Sequence, residues 1–295
     1  MIPANSKKLK NAGSFVLFLG PSLFVFTCVL LVPFIYGVFL TFTNYSPIKG
    51  TMDFVGISNY INVFSDKVFL TQFGKTLGYV FFATISCNVT AFILAFILTS
   101  NIKKQNFVRT GFFTPNLIGG IVLGYIWKFI FANVITQIGK SWGVEALSTS
   151  FLTNPDRAIL AMIIVTVWQY AGYLMMIYIA GFMSIPKDVL EASELDGATG
   201  LRKTIRITIP LMVPSFIICL FISISRCFMT YDLNLALTAG GPYGSSQLAS
   251  MHIYQKAFQS NQYGLGQAEA IVLFITVAIA AVSQVLVTKK FEVEA

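Results

Sequence analysis

The chain has 295 residues, a formal net charge of +8, 11% charged positions and 56% hydrophobic ones, with a mean hydropathy of +0.75. A soluble domain carries about 25% charged residues, so these figures exclude an ordinary soluble protein, and the same hydrophobicity excludes a disordered chain. Four cysteines, Cys28, Cys87, Cys219 and Cys227, sit in apolar runs and read as small buried hydrophobes, while a single histidine, His252, argues against a zinc site.

What remains is an all-α integral membrane protein. A helical span needs about 20 mostly apolar residues, and the sequence predicts six, at 15–43, 77–99, 107–131, 159–182, 207–229 and 268–287. They form one transmembrane domain over 15–290, flanked by tails at 1–14 and 291–295. The first stretch follows Lys7, Lys8 and Lys10 as a signal peptide would. Its apolar run is too long and shows no small-residue cleavage site, so an uncleaved helix is expected, kinked at Pro33. No alternating ten-residue pattern repeats, which argues against a barrel. Gly120 and Gly124 in the third span predict a close helix–helix contact.

Basic residues orient the spans. With the N-terminus inside, the cytoplasmic set holds twelve: Lys7, Lys8, Lys10, Lys103, Lys104, Arg109, Lys187, Arg202, Lys203, Arg206, Lys289 and Lys290. The outer set holds six: Lys49, Lys67, Lys75, Lys140, Arg157 and Lys256. This bias places both termini in the cytoplasm. The positive charge is scattered over helix ends, so it does not make a nucleic-acid stripe.

Two tripeptides imitate a nucleotide-binding loop, Gly74-Lys75-Thr76 and Gly139-Lys140-Ser141. A phosphate cradle also needs a glycine five residues before the glycine that precedes the lysine, and those positions are Phe69 and Val134. No nucleophile, base and orienting acid can be assembled around one histidine. The chain is therefore expected to be no enzyme and to hold no cofactor or metal.

The loop at about 185–210 is the informative one, with eight of the chain's 32 charged residues. Pro186 before Lys187 and Asp188 is a helix-start signal. Residues 189–196 read as a short helix, and Gly197 as the break that supplies a positive φ. A second helix is expected to run on into the fifth span, with Pro210 near its beginning. Small side chains at Ala192 and Ser193 and the charge of Glu191 suit docking into a partner's groove. A helix lying on lipid is the alternative, but Asp188, Glu191, Glu194 and Asp196 would be repelled by anionic headgroups.

Glu191-Ala192-Ser193, three residues, Gly197-Ala198, then nine residues from Gly197 to Ile207-x-Ile209-Pro210 resembles the EAA loop of ABC importer permeases. Leu237-Thr238-Ala239-Gly240-Gly241-Pro242, Tyr254, Phe258 and Tyr263-Gly264 are similar to its sugar branch, as are Phe54-Val55-Gly56-Ile57-Ser58-Asn59-Tyr60, Ile126-Trp127-Lys128 and Trp168-Gln169. The Gly-Gly-Pro loop looks like the first permease of the maltose/glycerol-phosphate type. The departures are Ser193 for the second Ala, Thr204 for Phe and Ile209 for Leu. The resemblance implies the type I importer permease fold in a bacterial or archaeal plasma membrane. It implies a second permease subunit, two copies of a cytosolic ATPase that use ATP and Mg, and an extracellular solute-binding protein. Coupling to the ATPase is then expected at Glu191, Ala192, Ser193, Asp196, Gly197, Ala198 and Pro210.

Two spans carry polar stripes. Thr166, Gln169, Tyr170 and Tyr173 share one helix face, beside Trp168, and Ser223, Arg226, Cys227 and Thr230 do the same in the fifth span. Polar groups inside a bilayer usually face a water-filled path or a partner. Aromatic rings beside hydrogen-bonding groups suit a sugar, and in maltose-type permeases these two helices line the transport site. Interface anchoring of the aromatics and snorkelling of Arg226 stay open beside that reading, as does a phosphorylated substrate held by Arg226. An ion-driven secondary transporter is the alternative class. It needs a central carboxylate, and Glu269 is expected at the outer edge of the sixth span and Asp232 just outside the fifth.

Overall fold

The computed structural model describes residues 17–48, 50–100 and 104–292. The tail at 1–14, Lys49, Lys103 and the end of the C-terminal tail at 293–295 lie outside the described residues. The helices are α1 (Leu17–Leu40), α2 (Ser58–Ser65), α3 (Lys67–Thr99), α4 (Gln105–Phe113), α5 (Gly120–Trp142), α6 (Pro155–Ser184), α7 (Lys187–Leu195), α8 (Gly200–Leu211), α9 (Val213–Phe228), α10 (Asp232–Leu237), α11 (Ala249–Tyr254) and α12 (Tyr263–Lys289). Among the described residues the β structure is limited to one bridge, Thr43 to Phe54. Five helices, α1, α3, α5, α6 and α12, are long and apolar enough to cross a membrane, and the bent pair α8–α9 makes a sixth.

Proline explains where these helices depart from regularity. Its missing N–H and its ring disrupt the turn before it, and a helix can absorb this by widening into a π turn or by bending. Pro33 is preceded by a π turn at Thr27–Leu31, so α1 widens there. Pro210 follows the π turn Thr204–Thr208. Pro214 follows Met212, where α8 and α9 meet at 70°. The second helix of the loop therefore does not run straight into the fifth span, as the hydropathy suggested. The expected third span at 107–131 is also two pieces. Pro115 sits in a 3-10 turn, and Ile118 and Gly119 are extended (ψ 126° and 143°), so α4 ends at Phe113 and the span is α5. Between the expected spans, the stretches at 44–74, 133–157 and 231–267 hold α2 with the first turns of α3, the end of α5, and α10 with α11.

The chain forms two compact units, described separately. One comprises the described part of Met1–Asp66 with Ile253–Ile271. Here Asn59 Nδ2 donates to the carbonyls of Thr41 and Thr43 at 2.8 Å each, Tyr60 Oη donates to Thr41 Oγ1 at 3.0 Å, and Lys256 pairs with Asp66 at 3.1 Å. Gly37 packs on Gln267. Cys28, on α1, is exposed and not buried as its apolar setting suggested.

The other unit comprises Lys67–His252 and Val272–Ala295. Its centre is the packing of α3 on α6. Ala83, Cys87, Ala91 and Ala95 recur every four residues and are all fully buried. That spacing puts them on one face of α3, and their small size lets the helices approach closely. Across from them stand Ala171, Leu174, Met175 and Tyr178 of α6. Three spans are also pinned by an amide. Tyr178 Oη donates to Asn88 Oδ1, and Asn88 Nδ2 donates to Ser223 Oγ, each at 2.8 Å.

Candidate functional site

A polar cavity of about 190 Å³ opens where α6, α9 and α10 converge with the start of α5. Its walls include Gln169 and Tyr170 of α6, Arg226 of α9, Asp232 of α10 and Gly120 of α5. The break before α5 matters here, because non-helical backbone at membrane depth must find partners or face a cavity. Gln169 Nε2 donates to the Ile118 carbonyl at 3.1 Å, and Arg226 Nη1 donates to Asn116 Oδ1 at 3.0 Å. Tyr170 and Tyr173 present their rings to the Arg226 guanidinium, each centroid 5.0 Å from its carbon. Thr166 is buried and shares a 2.6 Å hydrogen bond with Tyr79 Oη, which lies 3.4 Å from Thr230 Oγ1.

The two polar stripes therefore converge, but not as whole faces. Thr166, Gln169, Tyr170, Arg226 and Thr230 reach the cavity. Tyr173 does not line the cavity but holds its ring against Arg226 and lies tilted against Phe113. Ser223 does not reach the cavity: it is buried with Asn88, and its Oγ donates to the Cys219 carbonyl at 2.8 Å. Trp168 also turns away, packing edge-on against Trp127 at 5.5 Å, because it stands on a different helix face from Gln169. Asp232 and Gly120 line the cavity and Asn116 holds Arg226 beside it, and spacing alone points to none of the three at this site. Pro115 and the Gly119-Gly120 pair were the available signal, since together they mark a break in an apolar run. The glycines of α5 also seat α10. A Cβ on Gly124 would stand 2.5 Å from Ala236 Cβ, and one on Gly120 would stand 2.9 Å from Asp232 Cβ.

At the other end of α6, α7 forms the expected short helix and closes in a Schellman motif. Ala198 N–H donates to the Ser193 carbonyl at 2.9 Å, Gly197 N–H donates to the Glu194 carbonyl at 3.0 Å, and Gly197 has φ +78°. Glu191, Ala192, Asp196 and Gly197 are exposed, and Ala198 and Pro210 are half-buried. Ser193 faces the other way. It is buried, and its Oγ donates back to the Leu190 carbonyl at 2.7 Å, so it packs on its own chain. The turn is crowned by exposed apolar residues, Leu195 at 90% and Leu201 at 77% exposure. Lys203 pairs with Glu194 at 2.7 Å and braces α8 against α7.

The nucleotide-loop imitations are ordinary helix. Lys75, within α3, donates to the Gly244 carbonyl at 2.8 Å, and Thr76 Oγ1 accepts from Ala249 N–H at 2.8 Å. Both fasten the loop after α10. Asn234 organises that loop from within, donating to the Ser246 carbonyl at 2.9 Å and accepting from Leu248 N–H at 3.0 Å. Gly240 adopts φ +80° there. Glu269, in α12, is fully buried.

Residues 87–293 match the family described as the binding-protein-dependent transport system inner membrane component. A probable starch degradation products transport system permease protein of Thermoanaerobacterium thermosulfurigenes is 38% identical over 98% of this chain and 98% of its own. A multiple sugar-binding transport system permease protein of Streptococcus mutans is 33% identical, covering 88% of this chain and 90% of its own. Among solved structures, a bacterial ABC transporter involved in the import of the acidic polysaccharide alginate superposes with a TM-score of 0.83 at 21% identity, over 96% of this chain and 98% of that one.

Proposed function

This chain belongs to the binding-protein-dependent transport system inner membrane components, and from that premise we propose that it is the sugar-importing permease of an ATP-driven transporter. The observation that carries the sugar assignment is the cavity. Gln169, Arg226 and Asp232 bring donors and acceptors to it, and Tyr170 adds an aromatic face. Hydroxyl groups both donate and accept, so a saccharide can use every one of these groups.

In this reading both termini are cytoplasmic and the α7 loop faces the cytosol. The chain forms half of the path, with a second permease forming the rest. Two copies of a separate ATPase hydrolyse ATP with Mg, and this chain itself hydrolyses nothing. One ATPase holds α7 in a groove, with Glu191 and Asp196 as its charged contacts and Leu195 and Leu201 as its apolar ones. When the ATPase dimer closes, α7 moves with it. The Lys203–Glu194 pair passes the motion to α8, and the bend at Met212 lets α8 swing against α9. Arg226 lies thirteen residues along α9 from Val213, about 20 Å by helical rise. A rocking α9 therefore carries Arg226 relative to Gln169 and opens the cavity to one side or the other. The external binding protein, docked on the outer loops, delivers sugar to the open cavity.

The test is ATPase activity of the complete transporter, reconstituted with its binding protein and challenged with sugars and glycerol phosphate. Stimulation by a saccharide-loaded binding protein is the expected result. Stimulation by glycerol phosphate alone would overturn the sugar assignment and leave the importer standing. The gradient-driven alternative would need transport without ATP, and Glu269 would be its only buried acid among the described residues.

A further inference from the structure

The cavity holds one cation and one anion, Arg226 and Asp232. Arg226 is positioned by neutral groups: Asn116 Oδ1 at 3.0 Å and the rings of Tyr170 and Tyr173 at 5.0 Å each. An amide oxygen and two π faces orient a guanidinium without cancelling its charge. Asp232 is exposed and lines the cavity, and Gly120 lets it sit there, since a Cβ on Gly120 would stand 2.9 Å from Asp232 Cβ. Among the described residues neither charge has an ion-pair partner. Two opposite charges thus stand ready for a ligand within about 190 Å³.

We propose that Arg226 and Asp232 form a charge-balanced pair that selects neutral saccharides and excludes uronates and sugar phosphates, with Asp232 the specificity-determining residue. The proposal rests on the sugar-import reading. A neutral polyol satisfies both groups at once, because its hydroxyls accept from the guanidinium and donate to the carboxylate. An anion drawn to Arg226 is confined beside a carboxylate of like charge. In so small a space that repulsion lowers its binding by about tenfold or more. Arg226 alone would make the cavity an anion site, and Asp232 prevents this.

The experiment measures binding directly to the assembled transporter in lipid nanodiscs, without the binding protein, so that the delivery protein's own selectivity does not enter. The probes are maltotriose and trigalacturonate, equal in length and differing in charge. The wild type is expected to favour maltotriose by at least tenfold. Asp232→Asn, which keeps the shape and removes the charge, is expected to shift that ratio about tenfold toward trigalacturonate, chiefly by tightening trigalacturonate. Asp232→Glu is expected to restore the preference, which a merely structural role would not explain. If Asp232→Asn fails to assemble, Asp232→Ser reads the same ratio. Maltotriose binding with an unchanged ratio in the variants overturns the pair and leaves sugar import standing. A wild type that favours trigalacturonate also overturns it. Binding of neither probe, together with no ATPase response to any saccharide-loaded binding protein, overturns both readings.

Discussion

Gly197 shows how much one residue can decide. Its φ of +78° lies in the left-handed region, and a Cβ there would meet nothing within 4 Å of this chain. Any non-glycine residue would therefore fit the space but strain the backbone by roughly 1–2 kcal/mol. Gly197→Val is expected to loosen the turn after α7 and to uncouple the transporter, keeping ATP hydrolysis while sugar uptake falls several-fold. Paired ATPase and uptake assays in proteoliposomes check this, and normal uptake in the variant would remove the turn from the coupling route. Ser193 makes the opposite case. Its place in the loop was read from its spacing, yet it is turned inward, so Ser193→Ala is expected to lose its bond to Leu190 and about 0.5–1.5 kcal/mol of stability while ATPase assembly persists. Co-purification of the ATPase reads the second part.

Among the elements, the spans divide into those held by small residues and those held by amides. The α3 stripe Ala83, Cys87, Ala91, Ala95 recurs every four residues, but that spacing alone does not name its partner. Asn88 does, because its hydrogen bonds reach α6 and α9 from positions 90 and 135 residues away. Replacing Asn88 with Leu strands the Tyr178 hydroxyl. Hydrogen bonds in membranes average about 0.6 kcal/mol each, so losing two costs about 1–2 kcal/mol. A fall of several degrees in the unfolding temperature of the purified transporter is expected. Gly124→Val tests the α5–α10 contact in the same assay. With Ala236 Cβ 2.5 Å from the new atom, the strain is expected to cost about 1–3 kcal/mol. A variant as stable as the wild type would show that α10 shifts freely and that α5 does not hold the cavity wall in place.

For the molecule as a whole, the chain carries surfaces that make sense only in company. Leu195 and Leu201 are left exposed beside Gly197, and α1 has no buried residue between Leu17 and Tyr36. Lipid covers the second kind of surface well, but the first crowns a charged loop, where a protein partner is the better fit. Cysteine pairs placed at Leu195 and in the ATPase groove are expected to cross-link in the resting transporter. Failure at every groove position would place the ATPase contact elsewhere.

The membrane class, the six apolar stretches, the helix–glycine–helix loop and the family resemblance were all legible in the sequence, because each rests on composition or on residues within about 25 positions of one another. Gly197's positive φ belongs to the same group, since a Schellman turn is decided by its neighbours. The breaks were written there too, at Pro115 and Pro214, but hydropathy averaged over a span hides a two-residue interruption. Only the tertiary structure decided which polar residues meet. Arg226 reaches Asn116 across 110 residues and Gln169 reaches Ile118 across 51, while Trp168 and Ser223, equally suggestive by spacing, face elsewhere. A helical period states which residues share a face. It does not state which face meets a cavity, because that depends on how separate helices pack, on close approaches such as Gly124 against Ala236, and on the local breaks that turn backbone toward water.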